Sequence, residues 1–274
     1  MDFMAHHELS ARIFSRGLHA HDFYELYFHL GGARYYCIDD TIYELQPNQF
    51  ILIPPLHMHG LVCDRDLVDY ERCYLYLSTE LLQKCGFGKI DLIRLFEKAY
   101  QDKKIVRNLS LEDIALCKEL LQSIEKLGSA DSVYSTQQYL SIYTKILNLL
   151  QIIEHTLETE DIPVPLTNAT HTSSMQEVLH YVNDHYTENI TVESLHQSFH
   201  ISSSLLSHKF KEYTGKGVYE YILYRRILRA KELMYSELSL TEIAYQCGFN
   251  DYSNFLRVFK RLSGSSPREF RLEK

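Results

Sequence analysis

The sequence has none of the marks of a membrane protein, a secreted protein or a common enzyme class. No apolar run is long enough to span a bilayer, and stretches such as Phe50 to Ile53 meet proline within a few residues. The first residues, MDFMAHHELSARIF, have no basic start, apolar core or small-residue cleavage site. No signal peptide is therefore expected, and the chain reads as cytoplasmic. Six cysteines are scattered at 37, 63, 73, 85, 117 and 247 without a CxxC pair, a pattern of reduced thiols rather than of a disulfide or zinc framework. No glycine loop able to cradle phosphate and no nucleophile elbow occurs. Tryptophan is absent, and so is any excess of positive charge, since the net charge is −8.

That charge is uneven. Residues 1–174 hold 15 Lys+Arg against 24 Asp+Glu, whereas residues 175–274 hold 13 against 12. The acidic part sets the total and leaves the C-terminal part free to present a local basic face. A length of 274 residues suggests two domains, at roughly 100–200 residues each. The 45% hydrophobic and 23% charged composition is that of a chain able to bury a core.

From about Phe23 to Leu77 the runs YELYFHL, ARYYCI, TIYELQ, FILIPP and ERCYLYL are short, apolar or alternating, and rich in Tyr, Ile and Phe. Turn signals at Gly31-Gly32, Asp39-Asp40, Pro47-Asn48, Pro54-Pro55 and Asp64 separate them, which predicts a compact β-barrel or sandwich. Helical spacing begins near Leu92. One helix is expected over Leu111 to Leu127, ended by Gly128, and a second from about Val133 to Leu157. On the second, Leu140, Tyr143, Leu147, Leu150 and Leu157 form a stripe, with Ile142, Ile146, Leu149 and Ile153 beside it. So broad an apolar face suits either a helix packed on its own barrel or a dimerisation helix. Residues 158–174, polar with two prolines, read as a linker. The expected division is 1–90 barrel, 91–158 helical segment, 159–174 linker and 175–274 an all-helical domain.

That last domain contains a repeat. LSHKFKEYTG (206–215) and FLRVFKRLSG (255–264) align at a shift of 49 residues, so Phe210 matches Phe259, Lys211 matches Lys260 and Gly215 matches Gly264. Each follows a short helix and a turn. Thr191 is the expected N-cap in the first unit; Ser239 with Glu242 is a capping-box pattern in the second. Gly248 fits a left-handed turn residue, and Ala244 a close helix crossing. Helix, short turn, helix, twice over, is a duplicated helix-turn-helix. Between the units, residues 217–236 read as one helix of about 30 Å, close to the ~34 Å between successive major grooves on one face of B-DNA.

The run GFNDYSNFLRVFKRLSGSSPREFR, from Gly248 to Arg271, resembles the terminal signature of the AraC/XylS-type transcriptional regulators over some twenty-four positions. The first unit matches less closely, with Leu195-His196 where the family usually has a small residue. The resemblance implies an α+β, two-domain protein: a cupin-like N-terminal sensor with a helical dimerisation segment, followed by an all-α double helix-turn-helix. It implies double-stranded DNA as partner, a small-molecule effector, a homodimer, and RNA polymerase contact if the protein activates. No enzymatic activity is expected. With Leu206, Phe210, Phe255 and Phe259 as core, base-edge contacts are expected at Ser204, Ser207, His208, Tyr252, Ser253, Asn254 and Arg257. Phosphate contacts are expected at Lys211, Lys260 and Arg261. Arg225, Arg226 and Arg229 are left out, because the family places a packing arginine near Arg226.

HAHDFYE, followed by PNQFILIPPLHMHG, resembles the cupin-like ligand-binding domain of such regulators. A pocket is expected from His21, Glu25, Tyr27, Tyr36, His59, Arg72 and Tyr74, and 21 tyrosines suit a polar ligand such as a sugar. His19, His21 and Glu25 read H-x-H-x3-E, and His59 sits where cupin enzymes supply a last ligand, so a metal-dependent cupin enzyme with a DNA-binding tail is the alternative. Against it, Asn48-Gln49 and Leu56 replace the glycines that accompany the motif in metal cupins. No cofactor is therefore expected. An alkyl-acceptor repair protein, which shares the helical domain, has no support from the cysteine pattern.

Overall fold

The computed structural model describes residues 2–13, 17–32, 35–62, 67–128, 134–158 and 174–272. The linker expected over 159–174, apart from Ser174, and the turn at Asp64 lie outside them. Among the described residues the chain opens with strands β1 (Phe3–Ile13), β2 (Tyr24–Gly31), β3 (Tyr35–Ile38), β4 (Thr41–Glu44), β5 (Gln49–Ile53), β6 (His59–Leu61), β7 (Leu67–Leu77) and, further on, β8 (Val106–Asn108). They form a five-stranded sheet in the order β1-β7-β2-β5-β8 and a three-stranded sheet in the order β4-β3-β6. The two sheets face one another, with the rings of Tyr27 and Tyr36 4.8 Å apart between them. β2 is buried along nearly its whole length because both its faces are covered. Its odd residues, Glu25, Tyr27 and His29, point between the sheets, while Tyr24 turns the other way onto Phe96.

That outer face is closed by α1 (Thr79–Cys85), α2 (Ile93–Gln101), α3 (Leu111–Gly128) and α4 (Thr136–Glu158). β8 is a strand within this otherwise helical stretch; three residues carry no readable alternation, and pairing with β5 makes them a strand. α4 resolves the two readings of its apolar face in part. Ile142, Ile146, Leu149, Leu150 and Ile153 are buried in the domain's own core, while Leu140 is 63% exposed.

The remainder is helical: α5 (Ser174–His185), α6 (Val192–Phe199), α7 (Ser203–Thr214), α8 (Val218–Leu233), α9 (Leu240–Gln246), α10 (Tyr252–Ser263) and α11 (Pro267–Leu272). α8 is shorter than the expected 217–236: its 16 residues span about 24 Å. Ser236 accounts for the early end, since its hydroxyl donates to the carbonyl of Leu233 (2.6 Å) and so competes with continuation of the helix. Two apolar clusters lie on α8. One gathers α5, α6 and α7 with Tyr221 and Leu228, and it also takes in Leu18, Cys37 and Met58 from the β-domain. The other gathers α9, α10 and α11 with Leu223, Ile227 and Ala230.

Candidate functional site

α6–α7 and α9–α10 are the two helix-turn-helix units. Thr191 caps α6 and Ser239 caps α9, each with a reciprocal capping box. Ser202 and Asp251 cap the second helices α7 and α10. On α10, Phe255, Val258 and Phe259 are buried, which leaves Ser253, Arg257, Lys260 and Arg261 exposed and Tyr252 and Asn254 half-buried. The Arg257 guanidinium donates to Asn254 Oδ1 at 3.0 Å, so the arginine is held along the exposed face. On α7, Leu206 and Phe210 are buried, and Ser204, Ser207, His208 and Lys211 are exposed. All ten expected contact residues therefore lie on the two second helices, none of them fully buried.

The turns differ. In the second unit Gly248 has φ +85, and a Cβ there would run into the backbone carbonyl of Thr187. In the first unit the left-handed residue is His200, with φ +55. His196, the atypical residue, closes this turn by donating from Nδ1 to the carbonyl of Ile201 (2.7 Å). The arginines excluded from DNA contact have other partners. Arg226 donates to the carbonyls of Tyr186 (2.7 Å) and Glu188 (2.8 Å). Arg229 pairs with Glu232 (2.8 Å) and Arg225 with Asp39 (2.9 Å). Arg226 and Gly248 thus both grip the 186–188 turn, and this joins the first unit to the second.

In the β-domain a cleft of about 340 Å³ opens between the sheets, with Glu8, His19, Tyr36, Tyr70, Arg72, Tyr74 and Tyr76 on its wall. Of the expected pocket residues, Tyr36, Arg72 and Tyr74 line it. His21, Glu25 and His59 cluster beside His19 at its end, whereas Tyr27 is buried with its hydroxyl on that of Tyr70 (2.9 Å). Arg72 donates twice to Glu8 Oε2 (3.0 and 2.8 Å) and lies over the rings of Tyr70 and Tyr74. Burial pushes the Tyr70 hydroxyl up to about 12. It pulls His19 down to about 3, helped by His59, so this ring is neutral. Burial pushes the Glu25 carboxyl up, but His21 and His59 more than offset it and hold it below the usual range. Tyr70 and Tyr76 were missed although each lies one step of the alternation beyond Arg72 and Tyr74 along β7 and so shares their face. Glu8 lies on β1, in a segment with no strand pattern of its own. A second groove, about 480 Å³ between α2 and α4, had no sequence signal.

The family comparisons agree with this geometry at both ends of the chain. A family described as AraC-like ligand binding domain matches residues 4–140, half of the chain, and one described as helix-turn-helix domain matches residues 195–273. The chain belongs to the AraC-type transcriptional regulators. Among its relatives is the uncharacterized HTH-type transcriptional regulator YfiF of Bacillus subtilis, 29% identical over 260 residues that cover 93% of this chain and 78% of YfiF. The HTH-type transcriptional activator RhaS of Salmonella arizonae is 32% identical over 100 residues, 36% of each chain. The crystal structure of ToxT from Vibrio cholerae aligns at 16% identity over 99% of this chain and 97% of that one, with a TM-score of 0.36.

The regulator's two domains are joined by polar contacts that sequence reasoning missed. Asp39, in the turn between β3 and β4, accepts from Arg225 of α8 (2.9 Å), from the Tyr100 hydroxyl (2.7 Å), from His57 Nδ1 (2.7 Å) and from the Met58 amide (3.1 Å). Burial raises its carboxyl, but His57, Arg225 and Tyr100 prevail and hold it well below the usual range. Residues 17–22 run along the interface. Leu18 exchanges bonds with the Thr214 carbonyl and Lys216, the Ala20 carbonyl accepts from Tyr224, and Asp22 pairs with Lys231 (3.1 Å). None of the pairs that cross between the domains has a local sequence pattern, because each joins residues more than 180 positions apart.

Proposed function

We propose that this regulator reads double-stranded DNA with α7 and α10 in successive major grooves. Ser204, Ser207 and His208 from α7 and Tyr252, Ser253, Asn254 and Arg257 from α10 meet base edges, and Lys211, Lys260 and Arg261 hold phosphates. The observation that carries the reading is a division among cations. Arg225 and Arg226 are half-buried and bonded to other parts of the protein, whereas Lys211, Arg257, Lys260 and Arg261 stand on the exposed sides of the second helices, Arg257 with a bond to Asn254 of its own helix. Arg257 offers the paired donors that guanine accepts. The cleft takes a small polar effector such as a sugar, bound by Arg72, Glu8 and the tyrosine hydroxyls. The protein works in the cytoplasm as a homodimer, with 1–90 and 91–158 as sensor and dimerisation parts, 159–174 as linker and 175–274 as DNA reader. The name of RhaS favours activation, which brings RNA polymerase in as a partner.

The test is genome-wide mapping of bound sites followed by binding assays on the sequence found. Replacing Arg257 with Ala should weaken binding by about 1–3 kcal/mol and relax one base position. Replacing Lys260 should weaken all sequences alike and lower the salt slope by about one. An unchanged affinity for R257A on the cognate site would refute the groove assignment.

A further inference from the structure

His19, His21 and His59 place one ring nitrogen each within 4.8 Å of one another at the end of the cleft. Glu25 Oε2 lies 2.9 Å from His21 Nε2 and 3.0 Å from His59 Nε2. The far side of each ring decides what these contacts are. His21 Nδ1 lies 3.1 Å from the carbonyl of Phe23, and His59 Nδ1 lies 2.8 Å from the carbonyl of His57. A carbonyl oxygen only accepts, so both Nδ1 atoms carry hydrogen, and in a neutral ring Nε2 is then a bare lone pair. Nε2 of both rings faces the same carboxylate oxygen, with 1% of the His59 side chain and 3% of the Glu25 side chain exposed. Two imidazole nitrogens and a carboxylate oxygen that converge with so little access to water need a positive species, a proton or a metal ion, among them. Imidazoles fixed through Nδ1 on backbone carbonyls, with Nε2 converging on a carboxylate, form the arrangement that orients histidines for a metal.

The glycines missing from the motif do not weigh against this. Asn48 and Leu56 hold φ +68 each, the left-handed conformation a glycine would supply. The same short segment also carries the domain contact. Along 17–22, His19 and His21 turn into the cluster, while Leu18, Ala20 and Asp22 hold Thr214, Lys216, Tyr224 and Lys231 of the DNA-binding domain.

We propose that His19, His21, His59 and Glu25 bind a divalent first-row transition metal, and that its binding sets how residues 17–22 hold the DNA-binding domain. Three imidazoles and one carboxylate suit zinc, nickel or iron rather than magnesium or calcium. Metal–nitrogen bonds of about 2.0–2.1 Å bring tetrahedral nitrogens to roughly 3.3 Å from one another. The three ring nitrogens lie up to 4.8 Å apart, so closing to that geometry draws the rings together, and the alternating residues that grip α7 and α8 move with them. The second half of the proposal rests on the reading of the chain as a regulator; the first half does not.

The experiment titrates the full chain with Co²⁺ as probe, without DNA or effector, so its outcome is independent of the recognition-helix assignment. The expected result is one ion per chain with ligand-field absorption in the visible. The buried H59A variant is open to misfolding, so the near-isosteric E25Q and the less buried H19A carry the test beside it. Each should bind at least ~10-fold more weakly, while H155A, on the exposed side of α4, binds as the parent does. Hydrogen exchange at the Leu18 and Ala20 amides should slow on loading. No stoichiometric Co²⁺, Zn²⁺ or Ni²⁺ binding, or binding indifferent to E25Q and H19A, overturns the site. Binding that leaves both amides unchanged overturns the link to the DNA-binding domain.

Discussion

Removing the Asp39 carboxylate tests whether the two domains are energetically joined. Asp39 and Arg225 are a nearly buried ion pair, with side chains 14% and 18% exposed. Taking away one partner of such a pair costs about 3–5 kcal/mol, most of it from leaving the other charge uncompensated. Tyr100 and His57 also lose their acceptor, but His57 is 26% exposed and regains water, so their added cost is small. The Asp39→Ala change should therefore fall near the lower end, about 3 kcal/mol. Arg225→Met removes the cation and keeps the packing, and in the D39A background it should cost much less than alone. The two single losses should exceed the double loss by about 2–3 kcal/mol. Urea unfolding followed by circular dichroism measures this. Because Leu18, Cys37 and Met58 share a cluster with α5, α7 and α8, the parent should unfold with its domains coupled, and D39A should separate the transition into two. Additivity within about 0.5 kcal/mol, with a transition of unchanged shape, would refute the reasoning.

Acidification should act on the same contact. The folded carboxyl of Asp39 lies below its unfolded value near 4. Its contribution is therefore complete above that value and is lost as pH falls through the folded one, so the part of the domain coupling that Asp39 carries should weaken below about pH 4. Thermal unfolding in a pH series reads this, and D39A should flatten it. His200→Gly relieves a side chain held at φ +55 and should stabilise the helical domain by about 1 kcal/mol; a lower melting temperature would contradict the strain argument. Gly248→Ala meets both a positive φ and the Thr187 carbonyl, so it should destabilise by more than about 1–2 kcal/mol and weaken DNA binding with it. Ser239→Ala removes the cap of α9 at a cost of about 1 kcal/mol, seen in the same melts.

Local patterns carried much of this. The caps Thr191 and Ser239 and the turn glycine Gly248 depend on neighbours within a few residues, so they were legible, as were the buried faces built on Phe210 and Phe259. What escaped reading depends on distance in the chain. Asp39 looked like half of an Asp-Asp turn signal, and nothing near it points to Arg225. β8 exists because β5 offers an edge, and Glu8 enters the cleft because β1 pairs with β7 opposite Arg72. His196 looked like a defect in the first unit, yet the carbonyl it reaches is only five residues away at Ile201. That contact needed the turn geometry, not a motif, to become visible.

α8 is more than a spacer of set length. Around its circumference Arg225, Tyr224 and Lys231 meet the β-domain, Arg226 meets the 186–188 turn between α5 and α6, and Ile227 and Ala230 enter the core of the second unit. One rigid helix therefore touches the sensor and both DNA-reading units at once. Arg225 and Arg226 are adjacent in sequence, so a displacement of Asp39 that carries Arg225 with it also pulls on the 186–188 turn against which Gly248 packs. A change in how the β-domain sits on α8 therefore reaches both the 186–188 turn before α6 and the core beneath α10.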